Sequence, residues 1–91
     1  MRLNCLIIDD EPIARKGMQE FISEVAFLQM AGQCENAIKA GLFLQSTSID
    51  LIFLDVQMPK ISGIAFLKSL EKPPMTILTT ANPDYALEGF A

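Results

Sequence analysis

Two neighbouring aspartates, Asp9 and Asp10, follow a short apolar run; a third, Asp55, closes another; and two threonines, Thr79 and Thr80, close a later one. If the fold brings these three carboxylates together they repel, and repulsion drives at least one of their pKa values upward. A hard divalent cation removes the conflict. With oxygen donors only, that cation is magnesium rather than zinc or copper. Magnesium keeps several waters and takes one or two carboxylates from a protein, which leaves positions for a phosphoryl oxygen. The chemistry on offer is therefore phosphate handling. Each piece alone is ordinary, since an Asp-Asp pair also serves as a solvated loop or a helix cap. Their joint occurrence with Thr80 at the ends of apolar runs carries the inference.

Those residues need elements to position them, and the chain supplies a regular alternation. Leu3 to Ile8 reads as a buried strand. Pro12 stands at a first helical position, where its fixed φ and missing N–H cost nothing. Ile13, Gly17 and Phe21, with Ala14, Met18 and Ile22, form one stripe of the helix that follows. A second strand runs from Phe27 to Cys34, partly exposed at Gln29 and Gln33, and a second helix from about Ala37 to Gln45 has Ala37, Ala40, Gly41 and Leu44 on one face. Leu51 to Leu54 is a fully apolar strand ending at Asp55. A loop spans Pro59 to Gly63, and Ser62 caps a third helix running to about Glu71. Pro73-Pro74 breaks the chain before a strand from Met75 to Thr79, and Asn82-Pro83 starts a last helix to Ala91. The order is βαβαβαβα, which implies a parallel sheet with helices on both faces. In such sheets the chemistry collects at the carboxyl ends of the strands, where all of these polar residues fall.

Composition narrows the class. The 91 residues are enough for one small domain, and 51% of them are apolar. No apolar run approaches the ~18 residues of a membrane span, and the short run near Met1 leads straight into Asp9-Asp10-Glu11, so a cytoplasmic strand is expected rather than a signal peptide. A net charge of −4 with no basic block makes direct nucleic-acid binding by this domain a poor prospect. Cys5 and Cys34 lack metal-ligand spacing and are expected to be reduced, half-buried thiols. With no His, histidine-based nucleophiles, proton shuttles and zinc clusters are excluded within these residues.

Leu6-Ile7-Ile8-Asp9-Asp10-Glu11-Pro12, Leu54-Asp55-Val56-Gln57-Met58-Pro59, Gly63 and Leu78-Thr79-Thr80-Ala81 together resemble the motif set of two-component response-regulator receivers. The stretch from Thr80 to Phe90 further resembles the receiver of LytTR-type transcriptional regulators. The resemblance covers residues 1–91 as one receiver domain with no output domain, and implies a flavodoxin-like doubly wound fold. It implies that Asp55 is the phosphoacceptor, that Mg²⁺ is held by Asp10, Asp55 and the backbone carbonyl of Gln57, with Asp9 acting through water, and that Thr80 hydrogen-bonds the phosphoryl group. Thr79, one residue earlier on the strand, is expected to point to the opposite face. Met58, Pro59 and Ala81 would shape the pocket, with Gly63 permitting a tight turn. Glu11 belongs either to the acidic pocket or to dipole compensation at the helix start. Met18, Met30 and Met75 are expected as core fillers. The implied partner is a sensor histidine kinase.

The family pattern continues with a fifth strand, ending in a Lys that faces the phosphoryl group, and a fifth helix. Lys60, Lys68 and Lys72 do not match that position, and the residues to Ala91 stop before it. The expected sheet is thus incomplete, of order 2-1-3-4, with strand four an edge through which copies self-associate. The competing reading is a receiver-like interaction module whose phosphorylation is impaired. An aspartyl-phosphate phosphatase fits less well, because that chemistry wants Asp-x-Asp after the first strand, whereas Asp55 follows the third.

Overall fold

The computed structural model describes residues 1–79. Four parallel strands form one sheet: β1 (Leu3–Ile8), β2 (Leu28–Cys34), β3 (Leu51–Asp55) and β4 (Met75–Thr79), in the order β2-β1-β3-β4. Between them run α1 (Pro12–Glu24), α2 (Ala37–Ser46) and α3 (Gly63–Ser69). This is the doubly wound α/β architecture expected, and the fold class agrees with it. The helix expected over residues 82–91 lies outside the described residues, as do Thr80 and Ala81.

Side chains alternate across each strand, so one strand feeds two cores. Leu6, Ile8, Ile52 and Leu54 face α2 and α3, where Ala37, Ala40 and Phe66 close over them. Cys5, Ile7, Leu51 and Phe53 face α1, which contributes Ile22. Leu6, Ile7, Ile8, Ile52, Leu54 and Val56 are almost wholly buried. Each contributes about 1.5–3 kcal/mol of burial, which concentrates the apolar stabilisation of the described residues on and next to the central strands. Cys5 and Cys34 belong to different cores on opposite sides of the sheet and are free thiols, each with its pKa raised by burial.

Local chemistry sets the helix starts. Pro12 occupies the first turn of α1. Asn36 caps α2 by accepting the Lys39 N–H at 2.8 Å, and Ser62 caps α3 by accepting the Ala65 N–H at 3.1 Å.

Three expectations need correction. The stripe on α1 is only half used: Ile22 is buried and Met18 half-buried, but Ile13 is 85% and Phe21 51% exposed. The helix packs over β1 and β2, so the side of the stripe turned toward β3 and β4 borders an open apolar groove lined by Gly17, Met18, Phe21, Phe53 and Ile77. Phe21 meets Phe53 edge-on across it, with ring centroids 6.3 Å apart. Met75 stands on the same uncovered side and is 66% exposed, so it is no core filler, whereas Met18 and Met30 pack against the core. The tight turn before α3 falls on Lys60, with φ 70°, and not on Gly63. Gly63 is required for a different reason, its closeness to the β3 backbone.

Candidate functional site

The sheet register builds the site. Ile8 pairs with Leu54 across β1 and β3, so the residues that follow, Asp9 and Asp55, emerge side by side at the carboxyl edge. This is where the strand order reverses, with β2 on one side of β1 and β3 on the other. Asp9 extends the β1–β2 ladder by donating its N–H to the Cys34 carbonyl at 3.0 Å. Its Oδ1 accepts the Glu11 N–H at 2.9 Å, which folds the chain sharply into α1. Asp55 repeats the device, its Oδ1 accepting the Gln57 N–H at 3.1 Å. Both aspartates thus have one carboxylate oxygen tied to the main chain two residues on.

The acidic trio converges. Asp9, Asp10 and Asp55, all half-buried, each offer an oxygen within 4.8 Å of the other two. Oxygens bound to one octahedral magnesium at 2.0–2.1 Å lie roughly 3–4 Å apart, so modest rotation of these side chains matches an all-oxygen cation site. The electrostatics point the same way. Desolvation pushes the Asp55 carboxyl up to about 6, opposed by the Gln57 N–H and reinforced by the neighbouring Asp9 and Asp10. A dication would relieve that conflict, so the donor set fits Mg²⁺.

The open cleft above the trio, about 380 Å³, is lined by Asp9, Asp10, Glu11, Ala14, Asp55, Gln57 and Thr79. Thr79 is therefore on the site, contrary to the expectation that it faces away. It pairs with Asp55 in the β3–β4 register, and paired residues of parallel strands share a face. Alternation along one strand was the wrong guide, because the neighbouring strand sets which face is the site. Thr80 and Ala81 lie outside the described residues. Glu11 is the N-cap of α1, makes no side-chain hydrogen bond there, and lines the cleft, a position compatible with both of the roles expected for it. Met58 is half-buried and packs on the core beneath the loop, while Pro59 lines an adjoining cleft with Asp10, Asn36, Lys60 and Ile61.

Gly63 holds the floor. It donates its N–H to the Val56 carbonyl at 2.8 Å, and a Cβ on it would lie 2.0 Å from the carbonyl oxygen of Asp55. A residue that the motif reading passed over also reaches the site: Arg15 donates from Nη1 to the Asp9 carbonyl at 2.8 Å. A basic residue one turn into the helix after an acidic pair is the signal that could have found it. Among the described residues no helix is long and apolar enough to cross a membrane.

Comparison with known proteins gives a consistent result. Transcriptional regulatory protein BtsR of Escherichia coli K12 is 36% identical over 90 residues, and an uncharacterised response regulatory protein of Vibrio cholerae is 40% identical over the same length. Each match takes in 97% of this chain, which spans 38% of the length of either relative. Among solved structures, the MaeR response regulator bound to beryllium trifluoride superposes with a TM-score of 0.85 at 26% identity, covering 99% of this chain and 75% of that one. The response regulatory domain of mrkE from Klebsiella pneumoniae gives 0.83 at 24% identity, covering 97% and 75%. Residues 5–90 match the response regulator receiver domain, and with the switch-point site at the carboxyl ends of β1 and β3 the chain belongs to that family, the receiver of two-component signalling.

Proposed function

We propose that this chain is a phosphoacceptor switch in which Asp55 takes a phosphoryl group in the presence of Mg²⁺. The observation that carries this is the convergence of Asp9, Asp10 and Asp55 within 4.8 Å, with Asp55 held by the Gln57 N–H. One oxygen of Asp55 is occupied by that N–H, and the other is left to attack phosphorus in line. The new bond is an acyl phosphate, and the bond between phosphorus and the donor's leaving atom breaks. Such a transfer needs positioning and charge neutralisation more than covalent assistance. Bound Mg²⁺ supplies charge neutralisation for the phosphoryl oxygens. Asp10, Asp55 and the Gln57 carbonyl would hold it directly and Asp9 through water, while Thr80 would hydrogen-bond the phosphoryl group.

The donor in this reading is a sensor histidine kinase, and the setting is cytoplasmic. The resemblance of residues 80–90 to LytTR-type receivers, and the similarity to a transcriptional regulatory protein, support a DNA-binding output elsewhere in the longer protein. That MaeR was captured with beryllium trifluoride supports a phosphoryl-shaped site in this fold. We also propose self-association along β4, the edge strand of the described sheet, where Met75 and Ile77 are exposed. A monodisperse monomer in light scattering refutes that part.

The central test is incubation with Mg²⁺ and a small phosphodonor, followed by intact-mass measurement. One phosphate should be added to the parent and none to Asp55→Asn. Equal labelling of both proteins rules out Asp55 as the acceptor.

A further inference from the structure

We propose that Arg15 is a positioning residue for the acidic site: its guanidinium clamps the main-chain carbonyl of Asp9 and so fixes the β1–α1 corner that presents Asp9 and Asp10 beside Asp55. The inference rests on the reading of this site as a magnesium site, and goes beyond it by assigning a role to a residue that contributes no ligand.

Asp9 is the pivot of the corner, and its N–H, its carbonyl and one carboxylate oxygen are all engaged. Its N–H donates to Cys34 on β2, its Oδ1 accepts the Glu11 N–H, and its carbonyl accepts Arg15 Nη1 at 2.8 Å. The first two bonds are short-range or part of the sheet. The third comes from a half-buried side chain six residues on, itself anchored where the Arg15 N–H donates to the Glu11 carbonyl in the first turn of α1. The clamp therefore ties the end of β1 to the body of α1. Asp10, between pivot and helix, has its main chain confined from both sides.

The target of the guanidinium matters. Arg15 engages a carbonyl and not a carboxylate, and among the described residues the only ion pair is Lys39 with Glu35. Among the described residues no cationic side chain pairs with the carboxylates of Asp9, Asp10 or Asp55, so none competes there with a metal ion. Two effects of opposite sign follow. A fixed positive charge beside a dication site weakens binding by Coulomb repulsion. A clamp that preorganises the ligands strengthens it, and loss of such outer partners typically weakens metal affinity roughly 10–100-fold. Because the guanidinium is directed at the main chain, preorganisation outweighs repulsion here.

The signs make the test decisive. Mg²⁺ is titrated calorimetrically, at constant ionic strength, into the parent chain, Arg15→Met and Arg15→Lys, at a temperature where circular dichroism shows each to be folded without metal. Arg15→Met keeps the apolar stem but loses charge and donor, and its Kd for Mg²⁺ should rise about tenfold. Arg15→Lys, which keeps a charge and a donor, should fall between parent and Met. A residue that served only stability would lower the metal-free melting temperature and leave the Kd of the folded protein unchanged. An unchanged or tighter Kd in Arg15→Met overturns the proposal, the tighter value showing that repulsion dominates. Should Arg15→Met not fold, the same comparison is made on Arg15→Lys, where an unchanged Kd overturns it. A parent chain that fails to bind Mg²⁺ overturns the magnesium site and this inference together, whereas a binding parent with unaffected variants overturns this inference alone.

Discussion

Replacing Gly63 with alanine tests whether the floor of the site is as tight as its geometry indicates. The added Cβ would lie 2.0 Å from the Asp55 carbonyl oxygen, 2.9 Å from its carbonyl carbon and 3.1 Å from the Val56 Cα. All three are main-chain atoms, so no side chain can swing away. Ordinary contact begins near 3.4 Å. The start of α3 must therefore move by about 1.4 Å relative to the end of β3, against a close-packed interior. That displacement breaks the 2.8 Å hydrogen bond from the Gly63 N–H to the Val56 carbonyl. The lost bond costs about 1 kcal/mol and the strain of overpacking about 1–3 kcal/mol, giving a destabilisation of roughly 2–4 kcal/mol. Against the ~5–15 kcal/mol of a typical domain, this is a large fraction. Urea unfolding followed by circular dichroism measures it. Gly41→Ala is the matched control, since a Cβ at that helical position meets nothing within 4 Å. It should raise stability by ~0.5–1 kcal/mol. Gly63→Ala falling within 0.5 kcal/mol of the parent, on the order of the error of such comparisons, would refute the packing argument.

The raised pKa of Asp55 makes a second prediction, on pH. Between its ordinary value of 3.8 and about 6, the folded protein holds a proton that the unfolded chain has released, so stability without metal falls as pH rises through that window and stays lower above it. A shift of this size corresponds to about 3 kcal/mol for an isolated group, which solvent screening at a half-exposed carboxylate reduces to about 1 kcal/mol. Asp55→Asn should therefore exceed the parent in metal-free stability by that amount at pH 8 and match it near pH 4, and Mg²⁺ should narrow the gap at pH 8; a gap independent of pH contradicts the assignment. Lys60→Gly should stabilise the chain by roughly 0.5–1 kcal/mol, because Lys60 holds φ at 70° where a Cβ is disfavoured. A loss of stability in the same urea assay would show that the Lys60 side chain does more than occupy the turn.

The alternation of apolar runs with amphipathic stretches was enough to specify the strands, their parallel arrangement and the edge at which chemistry collects. Strand polarity and periodicity are local properties, and a βαβ connection has one favoured hand. Asp9, Asp10 and Asp55 were legible for the same reason: each sits at the end of an apolar run, and the carboxyl ends of parallel strands necessarily share an edge. The roles of Pro12 in the first turn of α1 and of Ser62 as the cap of α3 are equally local. What depended on neighbours was not legible. Thr79 joins the cleft because β4 pairs with β3 in a register no single strand encodes. Gly63 owes its identity to a carbonyl eight residues earlier, not to its own φ. The α1 stripe promised a fully buried face, but how far a helix covers a sheet depends on where it lies across the strands, and α1 lies over β1 and β2. The carboxylates were thus determined by sequence, and the main-chain contacts that aim them, Arg15 on Asp9 and Gly63 beneath Asp55, by the tertiary structure alone. Residue type and period carry the first; a distance of 2.8 Å between groups on different elements exists only once the chain has folded.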